Sequence, residues 1–323
     1  MGFEDLTPDV VIDAVEEALG KKMSGLASPL PSYINRVYEL QSMAGERLIG
    51  KFYRPGRWSR EALEDEHRFV LDCAAEEIPV IAPLTLTGGS TLGSAASIHF
   101  AVFPKRFGRQ LDIDSPDAWF RLGGVIGRIH MVGARQAANA RVMLHPDLST
   151  HADIMFLLDG GFVTLSYQSA FRELCQRVQE ALHGRFDGIG HLRIHGDCHH
   201  GNILERPGEG LMIIDFDDMM TGPAIQDLWL LLPDTVANSR PEIDSFLRGY
   251  RQFRDFDRRE LRLIEPLRLM RLLYFLAWSA RQENDFKFRH NFPDWGTDSF
   301  WMKEISSLRQ QLAALREADS QDL

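Results

Sequence analysis

A chain of 323 residues, 44% apolar and 25% charged, is long enough for a substantial core and has the profile of a soluble globular protein of one large or two modest domains. Its 36 basic against 46 acidic residues leave a net charge of −10, which argues against nucleic-acid coating or membrane-surface binding but leaves room for a local basic cleft. The N-terminus carries acids instead of a basic leader, and Cys73, Cys175 and Cys198 are scattered as reduced thiols are, so a cytoplasmic protein is expected.

Thr7 to Leu19 reads as a first helix, with Thr7 as its cap and Pro8 in its first turn. The run G-L-A-S-P-L-P-S opens with turn-formers and leads into a strand-like V-Y-E-L; after Gly45, R-L-I-G-K-F-Y-R-P reads as the second strand of a hairpin. Alternation puts Ile49, Lys51 and Tyr53 on one face of it. From Ser59 to Ala75 the pattern is helical, and Ala62, Glu66, Phe69 and Cys73 share a stripe. A carboxylate in an apolar stripe needs a cation, and Lys51 is the candidate. Two more strands are expected, P-V-I-A-P-L-T-L and S-I-H-F-A-V-F-P, divided by a turn at Gly88-Gly89.

Past Phe103 to Gly108 the chain becomes largely helical, so a boundary is placed there: 1–104 as a small sheet with one or two helices, 105–323 as a larger helical body. In the second part, Asp117 to His130 is a helix whose glycines permit close packing, with Gly133 as its cap. Further helices are read at Ser169 to Leu182, along P-A-I-Q-D-L-W-L-L-L, at Pro241 to Phe253, Glu260 to Arg281 and Trp301 to Arg316. The longest apolar run, around Leu269 to Ala280, is broken by Arg271 and falls short of the ~20 residues of a membrane span.

The chemistry concentrates in Arg193 to Asp218: R-I-H-G-D-C-H-H-G-N-I-L, a polar gap, then L-M-I-I-D-F-D-D. Mg2+ takes one or two carboxylates with substrate phosphates and waters, and Asn202 with Asp215 offers that sparse oxygen set. Asp197, five positions before Asn202, can accept the proton of a hydroxyl, the D-x-x-x-x-N spacing of a kinase catalytic loop. Asp-Gly and Gly-Asn pairs also suit ordinary turns; the second acid-bearing run, with Lys51 and Glu66 upstream, is what makes the combination specific. His195, Cys198, His199 and His200 lack the spacing of a zinc site.

These stretches resemble the aminoglycoside phosphotransferase and choline kinase group of protein-kinase-like folds, and within it the RdoA family of bacterial stress response kinases. P-S-Y-I-N-R-V-Y, K-F-Y-R-P-G-R-W, E-D-E-H-R-F, H-G-D-C-H-H-G-N-I-L, G-P-A-I-Q-D-L-W and the Ile264 to Trp278 run carry the likeness, which spans about residues 6 to 310. It implies an α+β, bilobal protein-kinase-like fold with a small β-rich N-lobe and a larger, mainly helical C-lobe. It implies ATP- and Mg2+-dependent phosphorylation of Ser/Thr hydroxyls on a protein; a monomer with no nucleic-acid or membrane partner is expected beside it. Asp197 would be the catalytic proton acceptor, Asp215 a catalytic residue and metal ligand, and Asn202 its companion ligand. Lys51 would contact the ATP phosphates, oriented by Glu66; Ser32 would serve the nucleotide site, and Asp227 would brace the catalytic loop.

Three departures matter. No G-x-G-x-x-G covers the phosphates, so P-L-P-S-Y-I-N-R must do so. Asp217 stands where D-F-G has glycine and could be a further metal ligand. Gly196 replaces the Arg of H-R-D, and only M-M-T-G follows Asp218, so no phosphorylation-gated activation loop is expected. A small-molecule kinase remains an alternative acceptor class, and a nucleotide-binding pseudokinase a third reading.

Overall fold

The computed structural model describes residues 3–206, 208 and 210–320; the outermost ends of the expected division, residues 1–2 and 321–323, lie outside them. The N-terminal region holds α1 (Pro8–Leu19), β1 (Met23–Leu30), β2 (Arg36–Ser42), β3 (Arg47–Phe52), α2 (Arg60–Ala75), β4 (Gly93–Ala95) and β5 (Ile98–Pro104). Its strands form one antiparallel sheet in the order β1-β2-β3-β5-β4. Thr7 caps α1 by accepting the Val10 N–H at 3.3 Å, a contact worth about 1 kcal/mol. The period of two then sorts the sheet. Leu48, Phe52, Phe100 and Val102 pack with Val11 and Val15 of α1, whereas Tyr53 and Ala101 pack with Leu63 of α2. Lys51 thereby falls on the α2 side.

Two expectations for this region fail. The run opening at Gly25 is not a turn but the body of β1, an edge strand. Its register shifts between Met23 and Ala27, and Pro29 costs no ladder bond at an edge. Conversely, Pro79 to Leu86 forms no ladder, since Pro79 and Pro83 donate no N–H. It makes single contacts instead, a bridge from Val80 to Ile213 and the bond from Leu84 N–H to Val102 O at 2.7 Å.

The C-terminal part adds β6 (Arg109–Gln110), α3 (Pro116–Gly133), α4 (His151–Asp159) and α5 (Gln168–Leu182). Next come β7 (Leu192–Ile194), β8 (Ile203–Arg206), β9 (Gly210–Ile213), β10 (Met220–Gly222) and α6 (Gln226–Trp229). The chain closes with α7 (Arg240–Tyr250), α8 (Ile264–Ala280), α9 (Phe286–Asn291) and α10 (Asp298–Ser320). Two small ribbons, β6-β8-β9 and β10-β7, sit among these helices. The α3–α7 pair is tight because both contribute glycines: a Cβ on Gly123 would lie 2.0 Å from Phe246 O, and one on Gly249 1.9 Å from Phe120 O. Gly133 does not cap α3. It is the last helical residue, and Arg193 O presses on it from β7. The helix expected along Pro223 to Leu232 is only α6, because the buried polar pair Gln226 and Asp227 turns toward the loop after β7.

One large apolar core fills this part and reaches back to Phe69, Val70 and Cys73, so α2 belongs to both regions. No helix among the described residues is long and apolar enough to cross a membrane.

Candidate active site

The loop after β7 carries Asp197 and is held from below by Asp227. One oxygen of this fully buried carboxylate accepts the His195 N–H at 2.7 Å and lies 2.9 Å from His130 Nε2; the other accepts the Gly196 N–H at 2.8 Å. Burial alone would raise the Asp227 carboxyl, but the hydrogen bond and charge of His130 and the loop outweigh it and hold it below the ordinary range. Gln226 donates to Gly196 O at 2.9 Å and is itself fixed by Trp229 Nε1 at 2.8 Å. Gly196 has φ of 84°, and a Cβ there would meet Asp218 O at 2.3 Å, so this position admits only glycine. His195 donates from Nε2 to Ile214 O at 2.8 Å, which ties the loop to the backbone between β9 and Asp215.

From this base Asp197 projects with its side chain 19% exposed. Arg271 of α8 grips Oδ1 at 2.7 Å, and His199 Nε2 lies 3.5 Å from Oδ2. Asn202 donates its amide N–H to Asp197 O at 3.0 Å, which leaves its side-chain oxygen for another partner.

The second acid run forms a different kind of cluster. Asp215, in the left-handed region at φ 60°, presents a half-exposed carboxylate 2.9 Å from Lys51 Nζ. Asp217 is buried, with Oδ1 3.2 Å from Lys51 and Oδ2 against Arg57, whose other nitrogen reaches Asp218 at 2.5 Å. Tyr274 of α8 adds a hydroxyl 3.3 Å from Asp218. Burial would push the Lys51 ammonium down, but Asp215, Asp217 and Glu66 hold it well above its ordinary value. Burial would likewise raise the Asp217 carboxyl, yet Lys51, Arg57 and Arg141 pull it below the usual aspartate range.

Lys51 therefore pairs with Asp215 and Asp217, and the expected ion pair with Glu66 is absent among the described residues. The acids are nearer: β3 delivers Nζ to the end of β9 before it can reach α2. The cation beside Glu66 is Arg141, 3.8 Å away, and burial pushes the Glu66 carboxyl up to about 7. Arg141 spends its donors on Met219 O at 2.8 Å and on Asp217 O, and stacks on Trp58.

The oxygen set fits a hydrated divalent cation. Asp215 is accessible, Asn202 has a spare carbonyl, and the buried Glu66 Oε2 lacks a hydrogen-bond partner, a deficit that a cation with its waters would relieve. Asp217 could join only as Arg57 withdraws. Ser32 lies half-buried between β1 and β2. Beside it Tyr33 stacks on Trp278 at 5.4 Å, so this loop leans on α8. The segment after Asp218 is short and ordered: Met220–Gly222 pairs with β7.

Sequence reasoning missed Arg57, Arg141, Arg271, Tyr274 and Gln226. Arg271 had left a trace as the charge interrupting an apolar helix, and Arg57 lies within K-F-Y-R-P-G-R-W, six residues after Lys51.

With this geometry in view, comparison with known proteins is direct. The model of the phosphotransferase enzyme family (APH) matches residues 27–264. The chain belongs to that family. It is 38% identical over 317 residues to stress response kinase A of Escherichia coli (strain K12), covering 98% of this chain and 95% of that one. It is 37% identical over 322 residues to the serine/threonine protein kinase RdoA of Salmonella typhimurium, with the same coverage. Among solved structures, amicoumacin kinase hAmiN superposes with a TM-score of 0.73 at 18% identity, over 97% of this chain and 93% of that one. A microcompartment-associated aminopropanol kinase gives 0.69 at 19%, over 98% of both. The fold is thus the bilobal one of protein-kinase-like phosphotransferases, with a β-sheet N-terminal region and a mainly helical C-terminal part.

Proposed function

We propose that this phosphotransferase is an ATP- and Mg2+-dependent kinase that phosphorylates serine or threonine hydroxyls of a protein. The observation that carries the reading is that Asn202 bonds Asp197 O, Ile214 N–H bonds Asn202 O, and the adjoining Asp215 pairs with Lys51, with the Asp197 loop fixed by Asp227.

Phosphoryl transfer asks for positioning and charge neutralisation. Arg271 occupies Asp197 Oδ1, so Oδ2 is the oxygen that accepts the proton of the acceptor hydroxyl. The hydroxyl oxygen forms its bond to the γ-phosphorus as the bond to the bridging oxygen breaks and ADP departs. Lys51 supplies a fixed positive charge for the phosphates, and Ser32 with loop N–H groups supplies donors. Asn202 and Asp215 would hold Mg2+, which neutralises phosphate charge when bound; Asp217 would be a further ligand.

The names of the near relatives favour a protein acceptor. The short connection after Asp218, and the small molecules named for the structural neighbours, favour a small-molecule kinase as second reading. Incubation with γ-labelled ATP and Mg2+, alone, with a protein acceptor and with a panel of alcohols, separates them. Label on protein supports the proposal; label only on a small alcohol, or none anywhere, overturns it.

A further inference from the structure

The molecule is acidic overall, yet one cavity runs against that bias. A recess of about 930 Å3 opens among the start of β2, the turn after β3 and the C-terminal end of α8, and Arg36, Arg54, Arg57 and Arg281 line it. Glu4 and Asp285 are the acids in its wall. Three of the arginines hold carboxylates: Arg54 holds Asp285, Arg57 holds Asp217 and Asp218, and Arg281 holds Asp153 at 2.8 Å. Arg36 pairs with no carboxylate among the described residues. Its guanidinium lies 4.5 Å from the centre of the Phe3 ring and reaches Asn35 O at 3.4 Å. A guanidinium without a carboxylate, beside three more in so large a recess, is built to receive an anion.

The recess and the residues that touch Asp197 and Asp218 share one helix. Arg271, Tyr274, Trp278 and Arg281 are spaced i, i+3, i+7 and i+10, so they share one face of α8, and Arg281 stands just past its end. The first grips Asp197, the second touches Asp218, and the last two line the recess. Ten helical residues span about 15 Å, which four or five residues of extended chain at ~3.3 Å each would cover.

We infer that the acceptor is a peptide segment with acidic residues about four or five positions from its serine or threonine, received by the arginine recess while the hydroxyl meets Asp197. This rests on the kinase reading above and adds the acceptor's charge. A polycationic acceptor would meet like charge there.

The test uses single-serine peptides carrying Glu or Lys four and five positions to either side, with a neutral control. Two quantities are read: kcat/KM with Mg-ATP, and binding by fluorescence anisotropy at low and high salt. The acidic peptide should exceed the neutral one at least tenfold in both. Arg281→Gln should erase most of that advantage while leaving Mg-ATP binding and turnover of the neutral peptide unchanged, and Arg36→Glu should erase it in peptide binding measured without nucleotide. Indifference to flanking charge, or preference for Lys, overturns the inference. So does a phosphorylated alcohol that competes where the acidic peptide does not bind. Failure to phosphorylate any peptide would count against the kinase reading alone, because Arg36-dependent binding of the acidic peptide is still scored.

Discussion

The Asp197 loop and the Asp215–Asp218 cluster are neighbours, joined by the bond from Ile214 N–H to Asn202 O at 3.0 Å, but are held by different means. The loop rests on short, buried hydrogen bonds from backbone N–H groups and His130 to one carboxylate, Asp227. The acid cluster rests on Lys51 and Arg57, long cations delivered from β3 and the turn that follows it. The first arrangement is complete without any ligand. The second is a set of like charges kept together by countercharges. A loop held by hydrogen bonds to one buried carboxylate thus stands beside a cluster held by cations.

The largest effect should come from breaking the hydrogen-bonded side. Asp227→Ala strands two buried N–H groups and His130, and should cost about 3–5 kcal/mol of stability, read by urea unfolding. The loss should be the same with or without Mg-nucleotide; a loss that Mg-nucleotide largely relieves would mean the two regions are not separate. Asp197→Ala should lower turnover roughly a thousandfold with nucleotide affinity and melting temperature intact. Turnover near wild type would end its assignment as proton acceptor.

On the other side, Arg57→Ala should destabilise the free protein by about 1–3 kcal/mol, and saturating Mg-nucleotide should remove most of that penalty. Thermal shift at several Mg2+ concentrations checks this, and equal penalties in both states would contradict the distinction.

The smallest effects are those of pH. Asp217 is held below its ordinary value, so its stabilising contribution is present above about pH 3.8 and is lost as pH falls. Glu260, whose carboxylate accepts the Ile225 N–H at the head of α6, is pushed up to about 7 by burial. That raised value favours the fold below about pH 4.5, and the contribution is lost as pH rises through 7. Glu260→Gln should therefore flatten the decline in stability between pH 5 and 8, by about 3 kcal/mol at most, in denaturant titrations across that range. An unchanged slope would place the titration elsewhere.

Much of this was legible in the sequence, and the misses have physical causes. Helices with caps and stripes, such as Pro8–Leu19 and Arg60–Ala75, declare themselves locally. The strand Met23–Leu30 did not, because an edge strand tolerates the Gly and Pro that signal turns elsewhere. Pro79 to Leu86 misled in the opposite direction, with strand-like composition but without the donors a ladder needs. Among the candidate site residues, Asp197, Asn202, Asp215 and Lys51 were legible as types at fixed spacing. Their partners were not: whether Lys51 meets Glu66 or Asp217, and that Arg57, Arg141 and Arg271 supply the remaining charge, depends on contacts between residues 74 to 164 positions apart. Long cationic side chains reach partners that periodicity does not encode.

Gly196 has a consequence for how this enzyme could change over evolutionary time. In kinases governed by activation-loop phosphorylation, the residue before the catalytic aspartate is the arginine that receives the phosphate. Here a backbone carbonyl stands 2.3 Å from where its Cβ would be, and the backbone is already turned to φ 84°. No single codon change can install that arginine without moving the aspartate it adjoins. Control by phosphorylation at this position is closed off by steric exclusion, and selection could reach it only by rebuilding the loop and the short strand after Asp218 together.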